Sequence, residues 1–285
     1  MIVRDLCALT KPGITALVVV TAGAGFVAGA EGRPALALLA HTLVGTALVA
    51  GGTNALNQWW ERELDALMRR TRHRPLPAGR LAPSVALVFA VGLAGLGVAE
   101  LVVFVGWVPA LLAAVTLATY VLIYTPLKRR TSAATLVGAV PGALPIVAGW
   151  AASGRPLDAA ALALFGVLFL WQIPHFLALA WLYRDDYARA GFHMLTTDDP
   201  SGRAAGRQAL LYAALLWGAG IAVFAIGIAG PLYLVAALGL GAAFVGTGAG
   251  FARAATRPAA RRLFLGSIAY LPLLLAALTL DRVLG

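Results

Sequence analysis

Apolar residues in this chain come in long runs, and charged residues are gathered into the short stretches between them. Reading the runs between charges and Gly or Pro breaks gives nine segments. They lie near 14–30, 36–59, 84–105, 107–125, 133–152, 159–182, 209–229, 231–251 and 262–280. Each is about long enough to cross roughly 30 Å of hydrocarbon as a helix. The period-two alternation of a membrane barrel is missing. The pattern therefore predicts an all-α, polytopic membrane protein with nine transmembrane helices and tight turns at 105–107 and 229–231.

Composition agrees. The chain is 61% hydrophobic and 12% charged, with a mean hydropathy of +0.86, whereas soluble domains carry about 25% charged residues. Charge placement adds orientation. Of 22 Lys and Arg residues, all but Arg33, Arg155 and Arg282 fall in segments 1–13, 60–83, 126–132, 183–208 and 252–261, or at the edge of the last as Arg262. By the positive-inside rule this split puts the N-terminus in the cytoplasm and the C-terminus outside. The net charge of +10 is then a property of cytoplasmic loops and not a sign of nucleic-acid binding. Ala28-Gly29-Ala30 imitates a signal-peptide cleavage site, but eight further spans make the first run a retained helix. One cysteine, Cys7, excludes an intrachain disulfide. Residues 1–285 read as a single transmembrane domain in a bacterial inner membrane.

The loops carry the chemistry. In Asn57–Arg80, "NQWWERELDALMRRTRHRPLPAGR", Glu61, Glu63 and Asp65 are followed by a run of arginines. Asn57, Glu61 and Asp65, spaced i, i+4, i+8, fall within roughly 80° on one helical face. They make a hard-oxygen site suited to Mg²⁺, which takes one or two carboxylates plus phosphates and waters. Glu63 points elsewhere, toward Arg62 or Arg69. A second cluster holds Asp185 and Asp186, and the two clusters could share two Mg²⁺ ions bridged by a diphosphate. Asp198-Asp199-Pro200 reads as a turn. Arg69, Arg70, Arg74, Tyr124, Lys128, Arg129 and Arg130 are candidate diphosphate contacts, or topology determinants facing lipid headgroups. Inside the sixth span, "LWQIPHFLALAW" carries Gln172 and His175 around Pro174. Intramembrane polar groups face a bundle interior or cavity. His175 could make a structural hydrogen bond, ligate a haem iron, or accept a proton.

These segments resemble the UbiA-type intramembrane prenyltransferases. The first acidic motif matches, and its continuation Met68-x-Arg70-Thr71-x-x-Arg74-Pro75-Leu76 looks like the branch that farnesylates protohaem. "LTKPGI", "YTPLKRRT" with "GAVPGALPIVAGW", and "LWQIPHFLALAW" with "RDDYARAG" agree in order and spacing, so the likeness covers residues 8–195. It implies an Mg²⁺-dependent enzyme that joins the farnesyl group of farnesyl diphosphate to a vinyl group of haem B, with addition of water, giving haem O. It implies metal ligation by Asn57, Glu61, Asp65 and Asp186, with Asp185 beside the last. Arg70, Arg74, Tyr124 and Lys128 are implied as diphosphate contacts, and Gln172 and His175 as haem contacts. It also makes a haem A synthase a candidate partner.

Gly13 stands where the family usually has Arg, Glu61 where Asp is common, and His193-Met194-Leu195-Thr196 where Pro-Met-Leu-Pro is usual. A prenyltransferase for a quinone precursor or chlorophyllide would keep the acidic motifs without Gln172-x-x-His175. A secondary transporter would carry charged sites near the midplane, whereas here nearly all the charge lies at one face, with Glu100, late in the third span and toward the outer side, as the main exception.

Overall fold

The computed structural model describes residues 2–30, 32 and 34–284. The helices are α1 (Ile2–Leu9), α2 (Pro12–Gly29), α3 (Leu36–Trp60), α4 (Arg62–Leu67), α5 (Pro83–Phe104), α6 (Trp107–Ala118) and α7 (Thr125–Leu127). They continue as α8 (Ala134–Ala152), α9 (Ala159–Leu182), α10 (Arg184–Arg189), α11 (Leu195–Asp198), α12 (Arg203–Ala225), α13 (Pro231–Ala254) and α14 (Arg257–Leu284). A π-helical stretch, Thr119–Tyr124, joins α6 to α7 into one span, Trp107–Leu127. Among the described residues, nine helices are long and apolar enough to cross a membrane, and they coincide with the nine predicted runs.

Boundaries differ most for α12, which starts at Arg203 instead of 209, and for α14, which extends from Arg257 to Leu284. Hydropathy stops at the first charge, but a helix does not: Arg and Lys stems lie along apolar surface while their heads reach water. The short helices α1, α4, α10 and α11 have no counterpart in the hydropathy pattern.

Successive spans neighbour one another, and α14 returns to pack on α2, closing the bundle, while α8 contacts α2, α6 and α9. The α2–α8 crossing depends on glycine. A Cβ at Gly149 would lie 1.8 Å from the Ala22 carbonyl oxygen, and one at Gly25 would lie 2.0 Å from that of Ile146. Small residues let the backbones meet, which is how helices associate where lipid removes the hydrophobic drive. Outward-facing Val88, Trp107, Leu162 and Val235 are exposed, as the side chains of an apolar solvent's solute should be.

Several polar groups away from the loops find local partners. Glu100 accepts or shares a proton with His41 Nδ1 at 2.7 Å, and that imidazole stacks on Phe104 with centroids 4.5 Å apart. At the end of the bundle remote from the acidic loops, Arg282 donates to the Ala30 carbonyl at 2.9 Å and Arg155 lies over the Trp150 ring. Arg33 lies outside the described residues. Asp281 caps α13 from the far end of the chain. Its carboxylate accepts the backbone N–H of Gly230, that of Leu232 at 3.0 Å and that of Tyr233 at 3.3 Å. Losing such a cap costs about 1 kcal/mol, so Asp281→Ala should lower the thermal midpoint in detergent while leaving turnover within twofold. An unchanged midpoint would show that the cap contributes nothing.

Candidate active site

The acidic face predicted from the i, i+4, i+8 spacing forms across a break in the helix. α3 ends at Trp60 and α4 begins at Arg62, yet Glu61 N–H bonds the Asn57 carbonyl at 3.0 Å and Asp65 N–H bonds that of Glu61 at 2.7 Å. The i→i+4 ladder thus runs through the junction and keeps the three side chains aligned. All are buried: Asn57 is 2%, Glu61 5% and Asp65 1% exposed. Glu63 points out to Arg62 at 3.2 Å, as expected from its phase.

Each buried acid faces a cation. The Glu61 carboxylate pairs with Lys128 Nζ, and Asp65 Oδ2 accepts from Arg74 Nη1 at 2.7 Å. Burial alone would lower the Lys128 ammonium, but the adjacent Glu61 carboxylate outweighs it and holds the pKa above its ordinary value. Lys128 also lies 4.9 Å from the Tyr124 ring centroid and 5.3 Å from that of Phe192.

Asn57 is the hub. Its Nδ2 donates to Glu61 Oε2 at 2.9 Å and to Thr125 Oγ1 at 3.2 Å, while its Oδ1 accepts from Lys11 Nζ at 3.0 Å. Lys11 has no acceptor and a carboxylate no donor, so the amide orientation follows from the partners. Lys11 stands at φ 48°, the left-handed region, at the corner between α1 and α2. Burial, with Arg74 nearby, lowers its ammonium to about 7. Lys11 is a site residue that the acidic and arginine motifs do not contain; "LTKPGI" is its only local signal. Gly13, two residues on, has open space around its Cα.

The second motif docks on the first. Asp186 is 7% exposed, accepts the backbone N–H of Arg69 at 3.2 Å and of Arg70 at 3.3 Å, and pairs with Arg189. The Arg70 guanidinium covers the Tyr183 ring at 5.0 Å. Asp185 is not brought in: its side chain is 86% exposed, 3.8 Å from Arg184. Adjacent residues on a helix point about 100° apart, so only one of this acid pair can face inward. Asp199 closes a turn by accepting from the Ser201 and Ala204 N–H groups. His193 reaches the site only through its backbone N–H, which donates to the Lys128 carbonyl at 2.8 Å.

Beside this polar cluster lies an apolar cavity of about 260 Å³, near the low end of ligand-pocket sizes. Asn54, Tyr120 and Tyr124 line one end and Trp171, Gln172 and His175 a wall. The π-helical stretch carries Tyr120 and Tyr124, with ring centroids 5.1 Å apart. Such bulges recur where side chains must be re-aimed at a site. Gln172 Nε2 donates to the Ala139 and Leu168 carbonyls at 3.1 and 3.0 Å, and it fits because Gly142 lacks a Cβ that would meet its Oε1 at 1.8 Å. His175 Nδ1 lies 2.7 Å from Ser267 Oγ, and its ring stacks on Trp171 and Phe264.

Among the described residues, no three His, Cys, Asp or Glu side chains converge into a complete metal cage. The donor set is instead an amide and separate carboxylates, all hard oxygens. That fits Mg²⁺, which relies on phosphate and water for its remaining ligands.

The candidate site is thus an acidic and basic cluster at one end of a helical bundle, next to an apolar chamber. Residues 17–274 match the model of the UbiA prenyltransferase family, and the chain belongs to that family. It is similar to the protoheme IX farnesyltransferases of Solibacter usitatus, at 44% identity over 98% of this chain and 99% of that one, and of Myxococcus xanthus, at 45% over 99% and 96%. Its fold is that of a solved digeranylgeranylglyceryl phosphate synthase (TM-score 0.82, 14% identity, 99% of both chains). It is also that of a UbiA homolog from Archaeoglobus fulgidus bound to GPP and Mg²⁺ (TM-score 0.70, 15% identity, 96% and 99% covered). The chain is an integral membrane protein of this prenyltransferase fold.

Proposed function

We propose that the protein transfers the farnesyl group of farnesyl diphosphate to a vinyl group of haem B, with addition of water, releasing diphosphate and giving haem O. The observation that carries this reading is the placement of Asn57, Glu61, Asp65, Arg74, Lys128 and Asp186 beside an apolar cavity walled by Gln172 and His175. The names of the similar proteins support the same substrates. The loop charges support a cytoplasmic acidic face in the bacterial inner membrane. A transporter reading loses its one charge apart from the cytoplasmic face, because Glu100, toward the outer end of its span, is paired with His41.

Asn57, Glu61, Asp65 and Asp186 would hold Mg²⁺, while Asp185 is left as a surface residue. Bound there, the metal supplies positive charge against the charge that develops on the departing diphosphate. Arg70, Arg74 and Lys128 add fixed cations to the same oxygens. As the bond from farnesyl C1 to oxygen breaks, its electron pair leaves with the diphosphate, and the allylic cation forms beside the Tyr120 and Tyr124 rings, whose faces attract it. The vinyl π pair closes the new carbon–carbon bond. Water then adds at the carbon next to the porphyrin and gives up a proton. The apolar wall keeps water from the first cation until the vinyl group has reacted.

Stripping divalent ions with EDTA is expected to abolish prenyl transfer by purified protein, and added Mg²⁺ to restore it. Full turnover in EDTA would overturn the metal assignment.

A further inference from the structure

His175 is held by one residue of a different helix. Ser267, on α14, is fully buried and meets α9 twice. Its backbone carbonyl accepts the Trp171 indole N–H at 2.9 Å, and its Oγ lies 2.7 Å from His175 Nδ1. The same Oγ donates to the Phe264 carbonyl at 2.6 Å. A serine hydroxyl has a single hydrogen. With that hydrogen given to Phe264, Ser267 faces His175 as an acceptor, and the proton between them belongs to Nδ1. A neutral imidazole protonated at Nδ1 has its lone pair on Nε2. Nε2 makes no hydrogen bond among the described residues. The ring is clamped between Trp171 (centroids 5.1 Å apart) and Phe264 (5.0 Å), and the residue lines the cavity.

We propose that Ser267 is a positioning residue that fixes His175 as the Nδ1–H tautomer and presents Nε2 to the cavity as an iron ligand for haem B. The inference rests on the functional reading above and assigns a role to a residue of the last span that no acidic motif contains. Metal-ligating histidines generally donate their other ring N–H to a carboxylate, a backbone carbonyl or water, and losing that partner typically costs 10–100-fold in affinity; Ser267 Oγ takes that place here.

The test uses purified full-length protein in detergent, titrated with ferric haem B and followed by absorption and electron paramagnetic resonance. Wild type should give an imidazole-ligated signature, and His175→Ala should lose it. Ser267→Ala should bind haem about tenfold more weakly, and Ser267→Thr, which keeps the hydroxyl, should return to within twofold of wild type. Nitrogen NMR of ¹⁵N-histidine-labelled protein should place the His175 proton on Nδ1 in wild type and lose that preference in Ser267→Ala. Farnesyl diphosphate binding should be unchanged in Ser267→Ala and Ser267→Thr, and size exclusion and far-ultraviolet circular dichroism should match wild type in all three variants, which shows that they are folded. An Nε2–H tautomer in wild type, equal haem binding by wild type and Ser267→Ala, or the same ligation signature in His175→Ala would each overturn the proposal. Wild type that binds no haem B at all would sink the functional reading itself.

Discussion

Asp65→Asn should cut prenyl transfer by about 100- to 1,000-fold, the cost of weakening the carboxylate set that would hold the cation opposing the departing diphosphate. Asp65 is 1% exposed, and among the described residues it forms an ion pair with Arg74 at 2.7 Å. The amide has the same shape and still accepts a hydrogen bond from Arg74, so the chain should remain folded, as size exclusion and thermal melting would show. Asp186→Asn should behave likewise, with further loosening of the loop whose Arg69 and Arg70 N–H groups it holds. Asp185→Asn is the control. With its side chain 86% exposed, it should leave the rate within twofold. Wild-type turnover in Asp65→Asn would remove that carboxylate from the mechanism, and a large loss in Asp185→Asn would return Asp185 to the site.

Gly149→Ala should be the most damaging conservative change in the membrane-spanning core. The new Cβ would lie 1.8 Å from the Ala22 carbonyl oxygen, which belongs to a helix backbone and cannot swing away. α2 and α8 must then separate along the crossing that helps wall the cavity. Overpacking of this kind costs about 3 kcal/mol, so the variant should melt well below wild type in detergent and recover in low yield. Gly166→Ala, where nothing lies within 4 Å of the added atom, should be as stable as wild type. Equal melting of the two variants would mean that α2 and α8 do not meet backbone to backbone at this crossing.

Nine spans are legible in the sequence because hydropathy is a local sum, and each helix in lipid must satisfy its backbone within itself. The acid face of Asn57, Glu61 and Asp65 is legible for the same reason, since helical phase is also local. What the sequence conceals are contacts made across the chain. Lys11 meets Asn57 over 46 positions, His41 meets Glu100 over 59, and His175 meets Ser267 over 92. The resemblance points to Asp185 and Asp186 together, but the phase of α10, a six-residue helix, decides which one turns inward. Tyr120 and Thr125 join Tyr124 at the site because a π-helical stretch shifts the register there, and hydropathy carries no trace of that. Ser267 leaves only a faint signal, because it shares its apolar span with two other hydroxyl side chains, Tyr270 and Thr279.

The most direct measurement is mass spectrometry of the haem recovered after purified protein is given haem B, farnesyl diphosphate and Mg²⁺. The account predicts a haem heavier by one farnesyl group and one water, formed together with diphosphate and absent with Asp65→Asn. Unmodified haem B, with farnesyl diphosphate consumed on a quinone precursor instead, would contradict it.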